Sequence, residues 1–221
     1  VTFTLDTHCN EVKDELLTCQ SCYDRPDLLN RVFHAKYNSM IKDVTKGGVF
    51  GKCNGFVSSV EFQKRGAPHV HFILWLANFD VTAHNIDNII SAEIPMMGAE
   101  GTEQRRLHNL VMDKMIHGPC GIGYNTRLAC RRRNGVCSKK FPKHFNPSTV
   151  IVEDSYPLYR RRSPDDVSGG GHVGYKRIRG VLQRIDNRWV VPYSPYLLLK
   201  YGCHCNVEYC NSLKTVKYLF K

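Results

Sequence analysis

Apolar residues recur three and four apart through residues 24–47, where Leu28, Leu29, Val32, Phe33, Tyr37, Met40, Ile41 and Val44 fall on one stripe of a helix. Pro26 suits its first turn and Gly47 its stop. The period then drops to two. GFVSSVEFQ alternates as a strand, KRGAP is a loop and HVHFILWL is a second strand, so residues 55–76 predict an antiparallel hairpin. AHNIDNIISAEI and TEQRRLHNLVMDKMI return to helical spacing on either side of MMGAEGT. From His117 to about Phe145 the pattern gives way to an irregular region rich in Cys and Arg. TVIVED, NRWVVPY and YLLLKYG read as short strands, SPDDVSGGGHVG as a mobile loop, and NSLKTVKYLFK as a closing helix with Asn211 or Ser212 as cap. There is no internal repeat.

With 221 residues the chain suits one large domain, or one domain with an insertion. No run approaches the roughly 18 apolar residues needed to span a bilayer, and the first residues lack the basic and apolar regions of a signal peptide. A soluble, non-secreted protein without membrane association is expected. A start at Val1 and a stop inside a helical pattern suggest a fragment.

Charge changes the picture more than length does. The formal net charge is +11, and from Arg127 onward lie 19 of the 31 Lys and Arg against 6 of the 20 Asp and Glu. The excess gathers in ACRRRNG, SKKFPKHF, LYRRRS and GYKRIRG, beside Phe141, Phe145, Tyr159 and Tyr175. Cations interleaved with rings suit a phosphate backbone with unpaired bases, so Arg131, Arg132, Arg133, Lys139, Lys140, Arg160, Arg161 and Arg162 are the candidate nucleic-acid contacts. A solvated basic face is the plainer alternative.

Strand side chains alternate faces, so His69, His71, Ile73 and Trp75 share one side, and Glu61 and Gln63 share one side of the partner strand. A hairpin centred near Gly66 sets Glu61 opposite His71 and Gln63 opposite His69. Two neutral imidazoles with an oxygen ligand suit a divalent cation, a Lewis acid for a phosphoryl oxygen. The alternative is a pair of histidines satisfied by ordinary hydrogen bonds.

Ten cysteines without a signal peptide argue for buried or metal-bound thiols rather than disulfides. His117, Cys120, Cys130 and Cys137 form a His-x2-Cys-x9-Cys-x6-Cys arrangement suited to tetrahedral structural Zn²⁺, with ordinary buried thiols as the alternative. Cys203, His204 or Cys205 can replace His117 in that set. Cys19 and Cys22 are read as incidental.

VEFQKRGAPHVHFILWL resembles the metal-binding motif of the Rep domain of Helitron transposases (the Helitron helicase-like N-terminal domain), members of the HUH endonuclease superfamily. DRPDLLNRVFHAKYNSMIKDV, IDNIISAEIP, MIHGPCG, CSKKFPKHF, YPLYRRR, RWVVPYSPYLLLKYGCHCNVE and SLKTVKYLFK resemble further blocks of that domain, in order.

The resemblance implies an α/β fold of the α+β type, a central antiparallel sheet with flanking helices. It would run through residues 1–116, continue over 146–221, and carry a Cys-rich, zinc-stabilised insertion at 117–145. It implies metal-dependent nicking and joining of single-stranded DNA at transposon ends and targets, through a 5′-phosphotyrosine. His69, His71 and Glu61, with Gln63 as alternative or additional ligand, would hold Mg²⁺ or Mn²⁺, and Glu208 or His204 would approach the ion. Tyr218 would be the nucleophile, with Lys214, Lys217 and Lys221 near the phenol or the phosphate. A helicase domain would follow in the full-length protein, which would be nuclear. The rival readings are an inactive, zinc-stabilised DNA-binding module and a phosphoesterase that uses activated water.

Overall fold

The computed structural model describes residues 1–63, 66–120, 130, 136–166, 169–178 and 180–210. The chain opens with strand β1 (Thr2–Thr4) and a one-turn helix α1 (Asn10–Lys13), then the long helix α2 (Pro26–Thr45). Strands β2 (Cys53–Phe62) and β3 (Pro68–Leu76) follow, then helices α3 (Ala83–Ile89) and α4 (Glu103–Lys114). A ribbon of β4 (Gly174–Ile178) and β5 (Val181–Ile185), helix α5 (Pro195–Tyr201) and strand β6 (His204–Asn206) complete the described elements.

Four strands form one sheet in the order β2-β3-β1-β6, and each of its pairings is antiparallel. The expected antiparallel sheet in a mixed α/β chain is present. Its two faces differ because alternate side chains differ. Phe3, Val70, Phe72 and Cys205 point to one side and are fully or almost fully buried, beneath Leu29, Phe33, Met40 and Val44 of α2. Phe3 stacks on Phe33 at 6.0 Å between centroids. The opposite face carries Glu61, His69, His71, Thr2 and Thr4. A second core gathers Val111, Met112 and Met115 with Ile185, Trp189, Tyr193 and Leu198, and includes Cys120 and Cys137.

Several expected elements take other forms. YLLLKYG is helix α5, not a strand: Pro195 occupies its first turn and Gly202 follows at φ 61°, the left-handed stop that glycine adopts without a Cβ penalty. A short buried apolar run has no period to separate helix from strand. TVIVED and NRWVVPY form no ladders. Val150 bridges Leu158, while Ile116 bridges Val190 and Ser91 bridges Tyr193, so single pairs reach separate segments. The helix expected over AHNIDNIISAEI, α3, ends at Ile89, because Ile90 is already extended and Ser91 pairs with Tyr193. The closing helix expected at residues 211–221 lies outside the described residues. No helix among the described residues is long and apolar enough to cross a membrane.

Candidate metal centre and its surroundings

The polar face of the sheet assembles the first cluster. Observed register pairs Glu61 with His69 and Ser59 with His71. The expected pairing of Glu61 with His71 is therefore off by two residues, and Gln63 stands at the turn, where its N–H donates to Ala67 O at 3.0 Å, rather than opposite His69. The face survives the shift because side chains repeat every two residues. Ligand atoms of Glu61, His69 and His71 all lie within 4.8 Å of one another. That separation suits donors sharing an ion about 2.0–2.2 Å from each.

Two details bear on whether these residues fit a cation. His69 Nε2 lies 3.3 Å from Glu61 Oε2, while its Nδ1 is buried with no partner among the described residues. A buried polar nitrogen without a partner costs about 1–3 kcal/mol, a cost that ligation through Nδ1 would offset. His71 Nδ1 meets Thr2 Oγ1 at 2.8 Å. With Nδ1–H donating to the hydroxyl, the lone pair of Nε2 is left for a metal, the usual role of a second partner behind a ligating imidazole. Burial, then the neighbouring His69, lowers the His71 pKa and so favours the neutral ring that a metal needs.

Beside His71 opens a cleft of about 300 Å³ lined by Thr2, His71, Lys139, Tyr156, Asn206 and Glu208. Asn206 stands opposite Thr2 and donates from Nδ2 to Glu208 Oε1 at 3.3 Å, leaving its buried Oδ1 without a partner among the described residues. Glu208 thus reaches the neighbourhood of the trio. His204 shares the face but stands opposite Thr4, two strands or roughly 10 Å from His69. Its Nδ1 meets Lys114 O at 2.8 Å.

The second cluster is sulfur-rich. Ligand atoms of His117, Cys120, Cys130 and Cys137 lie within 4.8 Å of one another, although the residues span 21 positions of irregular chain. His117 Nε2 is 3.7 Å from Cys120 Sγ and 3.4 Å from Cys137 Sγ, bracketing the ~3.6 Å edge of a tetrahedron with zinc-like bond lengths. These residues can hold a metal such as zinc. Phe141 stacks on the His117 ring at 4.2 Å, and the His117 backbone N–H donates to Trp189 O, which holds this stretch of chain in place. Burial and the neighbouring thiols push the Cys120 thiol up to about 12, whereas backbone N–H groups of Phe141 and Lys139 outweigh burial and hold Cys137 below its ordinary value. All ten cysteines are free. Cys203 and Cys205 are buried in the first core, away from this set, so His117 is the fourth member.

The basic triplet expected on DNA turns inward. Arg161 is 3% exposed and donates to the carbonyls of Ala92, Asn187 and Val190, so it holds three chain segments together. Arg162 and Arg160 both pair with buried Glu93, and Arg160 also pairs with Asp87. Arg161 is not available to a phosphate, and its neighbours are committed to carboxylates. A compositional cluster of arginines does not reveal that an acid 67 residues away is buried beneath it. Lys139 and Lys140 remain exposed. Arg131, Arg132, Arg133, Lys214, Lys217, Tyr218 and Lys221 lie outside the described residues.

Burial alone would raise the Glu93 pKa, but hydrogen bonds and charge from Arg162, then Arg160, hold it below the usual 4.5. A depressed carboxylate pKa stabilises the fold above 4.5 and loses that contribution as pH falls through the folded-state value. Urea unfolding followed from pH 6 to pH 3 is expected to show falling stability. Glu93→Gln removes the charge and flattens that slope; an unchanged slope would assign the acid sensitivity elsewhere.

Sequence reading missed Thr2, Lys139 as a neighbour of His71, and Tyr156. Thr2 lies in a strand of three residues, too short for a periodic signal, and the other two meet His71 only through tertiary packing. Residues 1–74, from β1 through both histidines, match the family model described as Helitron helicase-like domain at N-terminus. Comparison with curated proteins gives no match. Over residues 1–74, which hold β1, the hairpin strand β2 and both histidines, the chain is similar to the Helitron helicase-like N-terminal domain.

Proposed function

We propose that this chain nicks and rejoins single-stranded DNA in Helitron transposition, as a tyrosine endonuclease of the HUH type with the corresponding fold. The observation that carries the reading is the convergence of Glu61, His69 and His71 on one hairpin, next to a cleft holding Lys139 and Glu208. The Helitron-like match over the same residues supports it. Bound there, Mg²⁺ or Mn²⁺ would supply Lewis acidity to a phosphoryl oxygen. His71, steadied by Thr2, together with His69 and Glu61, would provide the ligand atoms. Lys139 and Lys140 attract the DNA backbone toward the cleft.

The attacking group is the Tyr218 hydroxyl, named by its place in the resembling motif. Its oxygen bonds to phosphorus as the bond to the 3′ oxygen breaks, and the phenolic proton passes to a base or to that leaving oxygen. The products are a 5′-phosphotyrosine and a free 3′-hydroxyl. Because the ester keeps the bond energy, another 3′-hydroxyl reverses the step without a nucleotide cofactor. Zn²⁺ at His117, Cys120, Cys130 and Cys137 serves structure. A DNA-acting, nuclear protein followed by a helicase domain is the matching context.

Labelled single-stranded oligonucleotides incubated with the protein and Mg²⁺ or Mn²⁺ are expected to give a denaturation-resistant protein–DNA adduct. Chelator and Tyr218→Phe each abolish it. Cleavage that survives Tyr218→Phe without an adduct would replace the reading with water-dependent phosphoester hydrolysis. Binding without cleavage by any sequence would leave a zinc-stabilised DNA-binding module.

A further inference from the structure

The β4–β5 ribbon has two faces of opposite character. Its inner face is fastened to the end of α4. Lys176 Nζ donates to Met112 O at 3.0 Å and Asp113 O at 3.2 Å, a cation on the carbonyls of a helix C-terminus. Ile185 is fully buried, and a Cβ at Gly174 would meet Met112 Sδ at 2.3 Å, so the strand lies tight on the helix. The outer face carries Tyr175 and Arg177 from β4 and Leu182 and Arg184 from β5. Register sets Tyr175 beside Arg184 and Arg177 beside Leu182. All four are exposed, Tyr175 by 60% and Leu182 by 59%.

A soluble surface gains nothing by setting a tyrosine and a leucine outward between two arginines, and the internal ties of those arginines are slight. Arg184 lies 3.6 Å from Asp165 in an exposed pair, which contributes little in water. Arg177 spends one donor on Gly180 O. We infer that this outer face is a second DNA contact, taking a single strand outside the metal cleft, with a base stacked on Tyr175 and phosphates on Arg177 and Arg184. Charge names a polyanion. The ring and Leu182 at the centre favour unpaired bases over a duplex, since any base has a face to stack while groove reading relies on polar ends. The inference rests on the reading that the chain acts on DNA, and extends it to an element with no part in the chemistry.

The test measures fluorescence anisotropy of a labelled 30-nucleotide single strand, with zinc-loaded protein across a salt series. Tyr175→Ala is expected to weaken binding about tenfold. Arg177→Ala with Arg184→Ala is expected to reduce the slope of log affinity against log salt by about 1.4, from two lost single-strand phosphate contacts. Nicking of a saturating oligonucleotide is expected to be unchanged, and circular dichroism to match wild type. Crosslinking of 5-iodouracil-substituted DNA is expected to label a peptide within residues 174–185. If wild type binds and nicks while the variants bind equally, the ribbon assignment fails and the nicking reading stands. If the variants lose duplex affinity alone, the single-strand assignment fails. If wild type binds no DNA, both fall.

Discussion

Cys137→Ser is expected to lower the thermal unfolding midpoint by about 10 °C or more and to reduce bound zinc from one ion per chain to a small fraction. The reason lies in what surrounds the cluster. Cys120 and Cys137 belong to the second core, and the Cys137 turn, closed by the Lys140 N–H on Cys137 O, leads directly into Lys139. Structural zinc binds short peptides with roughly 10–16 kcal/mol of apparent free energy, all of it linked to folding where no preformed site exists in the unfolded chain. Losing even about 3 kcal/mol of this shifts the midpoint by roughly 6–12 °C in a chain of this size. Since the Cys120 thiol is pushed up to about 12 in the metal-free cluster, zinc must displace its proton, so affinity rises with pH. Emission spectrometry and calorimetry check both parts. A zinc-free protein with an unchanged midpoint would return these residues to ordinary buried thiols. The same variant is expected to weaken the phosphate grip of Lys139, because that lysine lines the His71 cleft from the end of the zinc-side turn.

Loss of either imidazole is expected to be larger for the chemistry and smaller for the fold. His71→Ala or His69→Ala should reduce nicking about a thousandfold or more, close to 4 kcal/mol of transition-state stabilisation, the scale of a lost Lewis acid. Thr2→Val tests the support behind His71. It leaves all three ligands in place but removes the hydroxyl on Nδ1, so the Mn²⁺ concentration for half-maximal rate should rise about 10–100-fold with the maximal rate retained. Calorimetric titration with Mn²⁺ gives the same comparison without turnover. Nicking by His71→Ala at the wild-type rate, or Mn²⁺ affinity indifferent to both histidines, would remove the ion from this hairpin.

The histidine face illustrates what a register error costs. A hairpin centre misplaced by one residue moves the pairing by two, which changes the partner of each histidine and leaves the shared face intact. Hence the shared face of the trio was legible from alternation alone, while the partner of each histidine was not. The arginine triplet is the converse case. Composition correctly marked a basic stretch, but its destination depended on Glu93 and on three carbonyls, none of them near in sequence.

By itself the sequence determined the long helix over residues 26–45, the hairpin, the face shared by Glu61, His69 and His71, and the spacing of the His–Cys set, because each is encoded in local periodicity or in residue type. Tertiary structure alone decided that β1 and β6 complete the sheet, that Thr2 stands behind His71, that Lys139 and Glu208 meet at its cleft, and that the 174–185 segment is a ribbon with an outward basic face. Strands of three residues and contacts across more than a hundred positions leave no local pattern. Their energy arises only when burial brings the partners together.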